Sequence, residues 1–361
     1  MENDGTGGIQ MEIGSWPSGI PVVLLYDLDP EWSVRIQKEV IDIASLVGQA
    51  LDNTGHPATP VRVTNSDLDS ALSGYDPQEY LVFNWCESLP GLHNSECNVV
   101  QFLEQYGYTF TGATSATLEL TSDKCRVKRL LDEAGIPTPG WEVYDKGASV
   151  KWKRFPAIVK PSREHCSEGI HRNAVVTTEA SLKNRIRYII KRFQHPALAE
   201  DFIEGRELHV SLWGNDYVEM LPPVEMEFSS LKDKRDWVCT YESKFVPESE
   251  QYKNIKTLLP APLSKDELSC VEKVCKAAYV LTGCRDYARI DVRMKDGLFY
   301  ILDVNANADI CPDTSTISAA EFAGYTYKEF LGRLISFAAR RHLNRGSEFV
   351  LPPKQYLEIS I

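Results

Sequence analysis

Apolar runs alternate with amphipathic segments along the first third of the chain. Ile20–Tyr26 is an apolar run of strand length, whereas Ser33–Leu51 repeats its apolar residues with the period of a helix. Two shorter apolar runs follow at Val61–Val63 and Tyr80–Phe83, and Leu68–Leu72 between them has a helical pattern. Because strands that alternate with helices form βαβ units, this region predicts a parallel sheet.

The rest of the chain predicts further groups of elements. A helix at Asn98–Tyr106 and a strand at Tyr108–Gly112 complete the first group, and a helix at Lys124–Ala134 ends at the Gly/Pro break Gly135–Pro139. Later strands are expected at Phe155–Lys160, Asn173–Val176, Pro196–Glu200 and Leu208–Trp213, and later helices at Ser181–Phe193, Asp266–Leu281 and Thr326–Arg341. A long polar stretch after the last of these strands predicts a loop.

A β-hairpin is the most informative prediction. Arg289–Arg293 and Phe299–Asp303 both alternate apolar with polar residues, and Lys295–Gly297 between them contains the Asp-Gly pair of a tight turn. Since side chains on a strand alternate between two faces, the hairpin presents its polar residues together on one side of the sheet.

Five polar residues are expected on that face of the hairpin. Arg289, Asp291 and Arg293 share one face of the first strand, and Asp303 and Asn305 share one face of the second. Carboxylate and amide oxygens suit Mg²⁺, which completes its octahedron with phosphate oxygens and water. A solvated face of an edge hairpin is the alternative interpretation.

Charge and composition limit the classes of partner that the chain is expected to bind. The chain has 361 residues, a formal net charge of -12, 43% hydrophobic and 25% charged residues. A length above about 250–300 residues predicts more than one subdomain. The acidic balance argues against a nucleic-acid partner, because it lacks the basic excess that displaces counterions, but local lysines can still bind a nucleotide.

The cysteines and the first residues of the sequence indicate the cellular compartment that is expected for the protein. The nine cysteines include no CxxC pair, which is typical of reduced thiols in a cytoplasmic protein. The seven histidines are also scattered, without a zinc-protease signature. Residues 1–19 have neither a basic nor an apolar signal region and are expected to form a flexible leader. No apolar run is long enough to predict a membrane span.

Two stretches in the middle of the chain could contact a nucleotide. Lys160 ends an apolar strand, and Ser167 follows in a short loop; a lysine and backbone N–H groups there can bind phosphate. A lysine that merely snorkels to the surface is equally consistent. Glu200 and Glu207 flank a linker and could accept from an adenine amino group or a ribose diol; a hydrated linker is the alternative.

The ordered set of these motifs resembles the ATP-grasp enzymes, and among them the D-alanine–D-alanine ligase-like family. The resemblance covers roughly residues 20–345. The residues that match, in the family's order, are Tyr108–Gly112, Ser122–Lys124 with Ala134–Pro137, Ile158–Glu164, Glu200–Glu207, Tyr241–Lys244, Gly283–Asp286, Arg289–Asp291 and Asp303–Asn305.

The resemblance implies an α/β fold with α+β subdomains, in which an N-terminal parallel-sheet domain precedes central and C-terminal ATP-grasp domains that clamp ATP. The expected division is a leader at 1–19, a Rossmann-like substrate domain at 20–122, a central subdomain at 123–206, a C-terminal catalytic subdomain at 207–345, and a tail at 346–361.

The resemblance also implies a role for individual residues. Those expected to bind ATP are Lys124 and Lys160 at the phosphates, Glu200 at the adenine amino group, Asp201, Phe202 and Ile203 beside the base, Glu207 at the ribose, and Lys244 at the γ-phosphate. Those expected to hold Mg²⁺ or Mn²⁺ are Asp291, Asp303 and Asn305, with Asp303 in place of the family's usual Glu. Those expected to assist catalysis directly are Arg289, Lys244 and Ser167.

This set of residues fits the formation of an amide bond from a carboxylate and an amine. ATP activates the carboxylate as an acyl phosphate, which the amine attacks with release of phosphate; the protein supplies positioning and neutralises charge. The expected substrates are therefore amino acids or a small carboxylate and an amine, and a homodimer stays open.

The substrate-binding positions depart from the family's pattern. They are Glu31, Glu87, Phe245, Asp309, Thr314 and Ser315, and Cys166 also stands where the family has a loop serine. Phenylalanine cannot make the hydrogen bond of the tyrosine expected at 245. We therefore expect a first substrate other than D-alanine, in the biosynthesis of a small metabolite.

Two alternatives stay open at this stage. One is a true D-alanine–D-alanine ligase of cell-wall synthesis, and the other is a non-catalytic ATP-binding module. A non-catalytic module has no need of a complete set of phosphate- and metal-binding residues, so the presence of this set argues against that alternative. A Rossmann dehydrogenase is excluded, because no G-x-G-x-x-G motif follows the first strand.

Overall fold

The first apolar runs form a parallel sheet in the computed structural model, which describes residues 19–164, 167–240, 243, 246 and 248–346. Its strands, in the spatial order β2-β1-β3-β4, are β1 (Val22–Asp27), β2 (Ala58–Val63), β3 (Leu81–Trp85) and β4 (Thr109–Phe110). The helices between them are α1 (Val34–Asp52), α2 (Leu68–Leu72) and α3 (Glu96–Gln105). The predicted parallel sheet is confirmed.

An antiparallel sheet follows two consecutive helices, α4 (Ser115–Ser122) and α5 (Lys124–Glu133). Its strands, in the order β5-β8-β6-β7, are β5 (Trp141–Tyr144), β6 (Ala157–Pro161), β7 (Val175–Val176) and β8 (Ala197–Asp201). Helix α6 (Glu179–Phe193) covers this sheet with Leu182, Ile186 and Ile189, which are spaced to lie on one helical face.

A second, larger antiparallel sheet contains the predicted hairpin. Its strands are β9 (Arg206–Trp213), β10 (Glu219–Met220), β11 (Val224–Glu227), β12 (Lys256–Leu258), β13 (Tyr287–Lys295) and β14 (Leu298–Asn305). Their order is β12-β11-β9-β13-β14, with β10 paired to β9. The helices of this region are α7 (Glu250–Asn254), α8 (Lys265–Leu281), α9 (Ser315–Phe322) and α10 (Tyr327–Ala339).

One apolar cluster joins the first sheet to the last. It contains Val22 and Leu24 of β1 together with Trp213 of β9 and Phe330 of α10. The Trp213 ring stacks on Phe330 at a centroid distance of 5.5 Å and meets Tyr325 edge-on at 4.8 Å. The clefts between the sheets are therefore positioned by a shared core.

Several short elements were not predicted. The stretch after Trp213, expected to be a loop, contains β10, β11, α7 and β12, and α4, β5 and α9 were also missed. The strand expected at Asn173–Val176 begins with a 3₁₀ turn at Arg172–Ala174, and only Val175–Val176 pair with β6. These strands are too short for a periodic signal, and pairing with longer neighbours determines them. The predicted subdomain boundaries stay a prediction.

Within the described ranges, no helix combines the length and the apolar character that crossing a membrane requires.

Truncating the buried tryptophan should test the shared core. Trp213 is 1% exposed, so Trp213→Ala should lower the free energy of unfolding by about 3–5 kcal/mol through lost contacts and the remaining cavity. Val280→Ala, at a position 68% exposed, should change it by less than about 0.5 kcal/mol. Urea denaturation followed by tryptophan-independent circular dichroism measures both, and equal effects would contradict this packing.

Candidate active site

The predicted hairpin is present and brings the expected polar residues into register. Arg289 pairs with Asn305 and Asp291 with Asp303. The turn residues Asp296 and Gly297 have φ values of 51° and 78°, as a type I′ turn requires.

An irregularity in the hairpin sets which residues face the core. The pairing shifts between Asp291 and Val292, so that Val292 lies opposite Ile301 and Leu302 is the additional residue of β14. Because of this shift, Ile301 and Val304 are both buried although they are three residues apart. Asp303 is thereby presented on the polar face opposite Asp291.

Asp291 is the centre of the polar face. Arg289 donates to both of its oxygens, from Nε at 2.7 Å and from Nη2 at 3.1 Å. Asn305 Nδ2 donates to Asp291 Oδ2 at 3.0 Å. Burial alone would lower the pKa of Arg289, but Asp291 outweighs it and raises that pKa, so the guanidinium stays charged.

Buried lysines approach this face from the central sheet and α5. Lys124 Nζ lies 3.0 Å from Asp303 Oδ2, and it also donates to the carbonyl of Glu164 at 2.9 Å. Asp123 positions this lysine, because its side chain accepts from backbone N–H groups and caps α5 one residue before Lys124. Lys160 Nζ lies 3.5 Å from the Leu302 carbonyl of β14.

Glu200 lies between two lysines. Its oxygens are 3.0 Å from Lys128 Nζ and 3.1 Å from Lys160 Nζ, and the residue is only 1% exposed. The sequence predicted that Glu200 contacts adenine, but here both of its oxygens face ammonium groups. Lys128 was not predicted, since a lysine inside an amphipathic helix gives no sign of burial.

The charged groups of this network change one another's pKa values. Burial lowers the pKa of Lys128 despite Glu200. Burial also opposes the charge of Lys160, but Glu200 and Asp303 together raise its pKa. For Asp303, burial is outweighed by Lys124 and Lys160, which lower its pKa. Asp303 is therefore an anion at neutral pH.

Arg293 contacts several residues of the segment that the sequence analysis assigned to adenine and ribose binding. Its Nε and Nη2 donate to Glu207 Oε2 at 2.8 and 2.7 Å, and its Nη1 donates to the Ile203 carbonyl at 2.8 Å. The guanidinium carbon lies 4.6 Å from the centroid of the Phe202 ring. Arg293 also donates to the Trp237 carbonyl.

A cavity of about 370 Å³ lies beside Phe202. Its lining combines the apolar residues Phe155, Pro156 and Val175 with polar and charged ones, Thr177, Glu204 and residues 233–235. Asp201, at the end of β8, accepts from Arg154 Nε at 2.6 Å, outside this cavity lining. The site therefore has a recess with an apolar part and a charged part next to the predicted base-binding segment.

Ser167 lies in the loop after β6 in a left-handed conformation, with φ of 62°. Its hydroxyl donates to the Cys239 carbonyl at 2.9 Å. This bond joins the predicted phosphate loop to the chain before the segment that carries Lys244. Lys244, Phe245 and Cys166 lie outside the described residues.

Carboxylates cluster at the carboxyl edge of the N-terminal sheet. Asp27 ends β1 and is buried; it accepts from the Glu87 N–H at 3.1 Å and from Ser88 Oγ at 2.9 Å. Glu96 opens α3 and accepts from Asn307 Nδ2 at 2.6 Å. Because the carboxyl ends of parallel strands meet at one edge, residues distant in sequence converge here.

Glu87 is the most perturbed acid of this cluster. Its side chain is accessible to solvent, but the surrounding protein removes hydration and, with Asp309, Glu96 and Asp27 nearby, raises its pKa to about 8. Burial likewise raises the pKa of Glu96 to about 7, although Asn307 opposes the shift. Among the described residues, no lysine or arginine forms an ion pair with these four acids.

Thr314 and Ser315 begin α9 near the hairpin. The Thr314 hydroxyl caps the helix by accepting from the Ile317 N–H at 3.4 Å. Ser315 Oγ lies 3.1 Å from His209 Nδ1, and His209 Nε2 lies 3.9 Å from Asp291 Oδ1. His209 was not predicted; its place opposite Asp291 on β9 is visible only in the sheet register.

Glu31 is not placed like the other predicted substrate residues. It is exposed and precedes α1, whereas Asp27 is the buried carboxylate of the same strand end. Asp27 could have been found as the first residue after the first apolar run. No local pattern distinguishes Glu96 or Asn307, and the alternation that places Arg293 on the hairpin face does not show that it bonds Glu207.

Comparisons with known proteins all indicate the same family. A family model described as the D-ala D-ala ligase C-terminus matches residues 130–336. An uncharacterized protein, y4sG, of Sinorhizobium fredii is 30% identical over 84% of this chain and 89% of its own length. A D-alanine–D-alanine ligase of Pseudothermotoga lettingae is 28% identical over 81% of this chain and 92% of its own.

Solved structures share the fold. The crystal structure of a D-alanine–D-alanine ligase from Bacillus anthracis complexed with ATP superposes with a TM-score of 0.69 at 19% identity, over 90% of this chain and 99% of that one. A second structure of the ligase from that organism gives a TM-score of 0.70 at 20% identity. The expected ATP-grasp fold is confirmed.

Neutralising Glu200 should test the buried charge network. Glu200→Gln keeps the shape but leaves the ammonium groups of Lys128 and Lys160 without their anion, and should lower the free energy of unfolding by about 3–5 kcal/mol. Glu119→Gln, which removes an exposed ion pair with Arg126, should cost less than about 1 kcal/mol. Chemical denaturation at neutral pH measures both, and a small effect of the first variant would rule out the network.

Proposed function

Because the chain belongs to the D-alanine–D-alanine ligase family of ATP-grasp ligases, we propose that it joins a carboxylate to an amine through an acyl phosphate, with release of ADP and phosphate. We further propose that its first substrate is not D-alanine but a cationic amino compound of small-metabolite biosynthesis.

The polar face of the hairpin is the observation on which this proposal rests. Asp291 and Asp303 lie opposite each other, and each has a cation beside it, Arg289 and Lys124 respectively. The described part of this face offers carboxylate and amide oxygens as ligands, together with cations. Such a set suits phosphoryl transfer, in which the protein positions the reactants and neutralises charge.

The residues present fit a bound Mg²⁺. The side chains of Asp291 and Asp303 are 17% and 25% exposed, so both carboxylates can be reached from the cleft, and Asn305 lies beside Asp291. Asp291, Asp303 and the Asn305 amide oxygen would hold the ion, with the amide turned to present that oxygen. When bound, Mg²⁺ would neutralise charge on the phosphates.

The nucleotide would extend from the hairpin to Phe202. Lys124 and Lys160 would contact phosphates, with Ser167 and Lys244 as further phosphate contacts, while Glu200 holds Lys160 in place. The ribose would approach Glu207, because Arg293 bonds only Oε2 and leaves Oε1 for a ligand hydroxyl. The base would enter the recess beside Phe202.

In the proposed reaction, a substrate carboxylate oxygen attacks the γ-phosphorus, and the bond to the β-phosphate oxygen breaks to release ADP. The amine nitrogen then attacks the acyl carbon, and the carbon–oxygen bond to phosphate breaks as the amine loses its proton. Arg289, fixed by its bidentate bond to Asp291, would face the negative charge that develops on the acyl oxygen.

The acidic edge of the N-terminal sheet supports a cationic substrate. Asp27, Glu87, Glu96 and Asp309 form no described ion pair with lysine or arginine, and desolvation, together with the charge of neighbouring acids, raises the pKa of Glu87 and Glu96. A cation bound here would relieve their mutual repulsion, whereas a small neutral side chain would not. A D-alanine–D-alanine ligase remains the second candidate, since relatives of that name cover most of the chain.

Removing one charge from the hairpin should separate catalysis from folding. Asp303→Asn takes a ligand charge from the dication site and should lower kcat by about 100-fold or more, by analogy with the loss of other charge-stabilising groups. Asp296→Asn, in the exposed turn of the same hairpin, should leave kcat within about threefold. ADP release measures the rates, and circular dichroism reports folding.

One result would contradict the prediction for Asp303. Equal kcat for Asp303→Asn and Asp296→Asn, in proteins of equal thermal stability, would rule out the proposed metal face.

Substrate choice should respond to pH through Glu87. Since the pKa of Glu87 is raised to about 8, this acid is mostly neutral below that pH and negative above it. For an amino acid bearing a guanidinium, which stays charged throughout, kcat/KM should rise by up to about tenfold between about pH 7 and about pH 9. Glu87→Gln should reduce the rise to about twofold, which is what Glu96, with its pKa of about 7, can contribute, and Glu39→Gln, on the exposed face of α1, should retain the full rise.

The same assay decides between the two candidate substrates. An ADP-release screen of D- and L-amino acids, singly and in pairs, should give higher kcat/KM for cationic members than for D-alanine. Turnover of D-alanine alone at about 1 per second or faster, without a preference for cations, would contradict the cationic substrate and favour a D-alanine–D-alanine ligase.

A further inference from the structure

A second group of metal-ligand side chains lies outside the proposed nucleotide site. His93 comes from the loop between β3 and α3, whereas Glu164 and Glu168 come from the loop after β6. One ligand atom from each of the three lies within 4.8 Å of the others. The loop of the N-terminal sheet thus meets the loop that carries Ser167.

The distances in this group match metal coordination better than hydrogen bonding. His93 Nε2 lies 3.7 Å from Glu164 Oε2 and 3.5 Å from Glu168 Oε2. Direct N–H···O bonds are about 2.7–3.2 Å long. Ligand atoms at about 2.0–2.2 Å from a tetrahedral Zn²⁺ are separated by about 3.3–3.5 Å. The two distances from His93 are therefore close to those between ligands of a zinc ion, and the two carboxylate oxygens lie within 4.8 Å of each other.

The charge of Glu164 also requires a partner. Its side chain is only 5% exposed, and across the described ranges neither lysine nor arginine forms an ion pair with it. A buried carboxylate without a counter-charge is costly. Among the described residues, the side chains that approach its oxygens are the imidazoles of His93 and His195 and the neutral amide of Asn94. A dication bound to the carboxylate supplies the missing charge.

Neighbouring groups hold Glu164 in this orientation. Asn94, in a left-handed conformation with φ of 54°, donates from Nδ2 to Glu164 Oε2 at 3.2 Å. His195 Nε2 lies 3.5 Å from the other oxygen, Oε1. Groups that contact a ligating carboxylate from outside commonly fix its direction.

We propose that His93, Glu164 and Glu168 form a binding site for a divalent cation of the zinc type, separate from the Mg²⁺ face of the hairpin. An imidazole nitrogen with two carboxylate oxygens suits Zn²⁺ and leaves a fourth position for water. His195 is a positioning residue that orients Glu164.

This metal would connect two parts of the structure. It would bridge the loop before α3 to the loop after β6, and Lys124 Nζ already donates to the Glu164 carbonyl at 2.9 Å. Since Lys124 also pairs with Asp303, the cation would hold the edge of the nucleotide cleft. A ligand that binds only the folded state raises its stability.

Metal binding to the full chain tests the proposal without any activity assay. Protein freed of metal by a chelator is titrated with Zn²⁺ against a chromophoric indicator, and its Tm is recorded at each concentration. We expect about one tight equivalent per chain and a Tm that rises with Zn²⁺. His93→Ala and Glu168→Gln should lose this equivalent, and His195→Ala should bind about 10- to 100-fold more weakly.

Matched variants and a spectroscopic probe identify the ligands. His171→Ala removes a histidine of the same loop outside the cluster and should bind like the parent protein. Co²⁺ in place of Zn²⁺ should show ligand-field bands without thiolate-to-metal charge transfer, because the proposed ligands are one imidazole and two carboxylates, and the cluster found among the described residues contains no cysteine. A thiolate band, no tight equivalent in the parent, or unchanged binding by His93→Ala would each overturn the proposal.

Discussion

Buried lysines and carboxylates alternate from α5 to the C-terminal hairpin, and the candidate active site depends on this alternation. Lys128 and Lys160 share Glu200, Lys160 is stabilised by Asp303, and Asp303 pairs with Lys124. Each ion is costly to bury alone, but each has an opposite charge beside it. Three lysine side chains face two carboxylates in this network. A chain with a net charge of -12 therefore concentrates lysines at one place, as a phosphate site requires.

The network also explains why the hairpin must pair as it does. The additional residue Leu302 places Asp303 opposite Asp291, and its carbonyl is the oxygen that Lys160 approaches at 3.5 Å. A regular hairpin would put Asp303 in phase with Ile301, which is buried, and would turn the carboxylate toward the core. The irregular pairing therefore lets one strand end contribute both an apolar core and a metal-ligating face.

The sequence predicted those parts of the site that depend on local patterns. The Asp-Gly turn and the alternation in Arg289–Arg293 indicate the hairpin, and the order of the motifs indicates the family, so Asp291, Asp303, Asn305, Lys124 and Lys160 were predicted together. Residues whose roles arise from tertiary contacts were missed. Lys128 is an ordinary helix residue until Glu200 lies beside it, and Arg293 gains importance only when the sheet brings it to Glu207. Glu200 and Glu207 were recognised as polar partners, but their protein counter-ions could not be inferred from spacing.

Under the proposed function, the different charges on the two sides of the site would give a substrate a preferred direction. Arg289 and the lysines lie at the hairpin, whereas the carboxyl groups of Glu87, Asp309 and their neighbours lie at the N-terminal sheet, where Glu87 becomes negative above about pH 8. Asp309 follows the end of β14 by four residues, and Arg289 pairs with Asn305 at that same end. A substrate with a carboxylate and a distant cation would therefore place its carboxylate toward the phosphates and its cation toward Glu87. The reverse orientation would put like charges together on both sides, so electrostatics alone would disfavour activation at the wrong end.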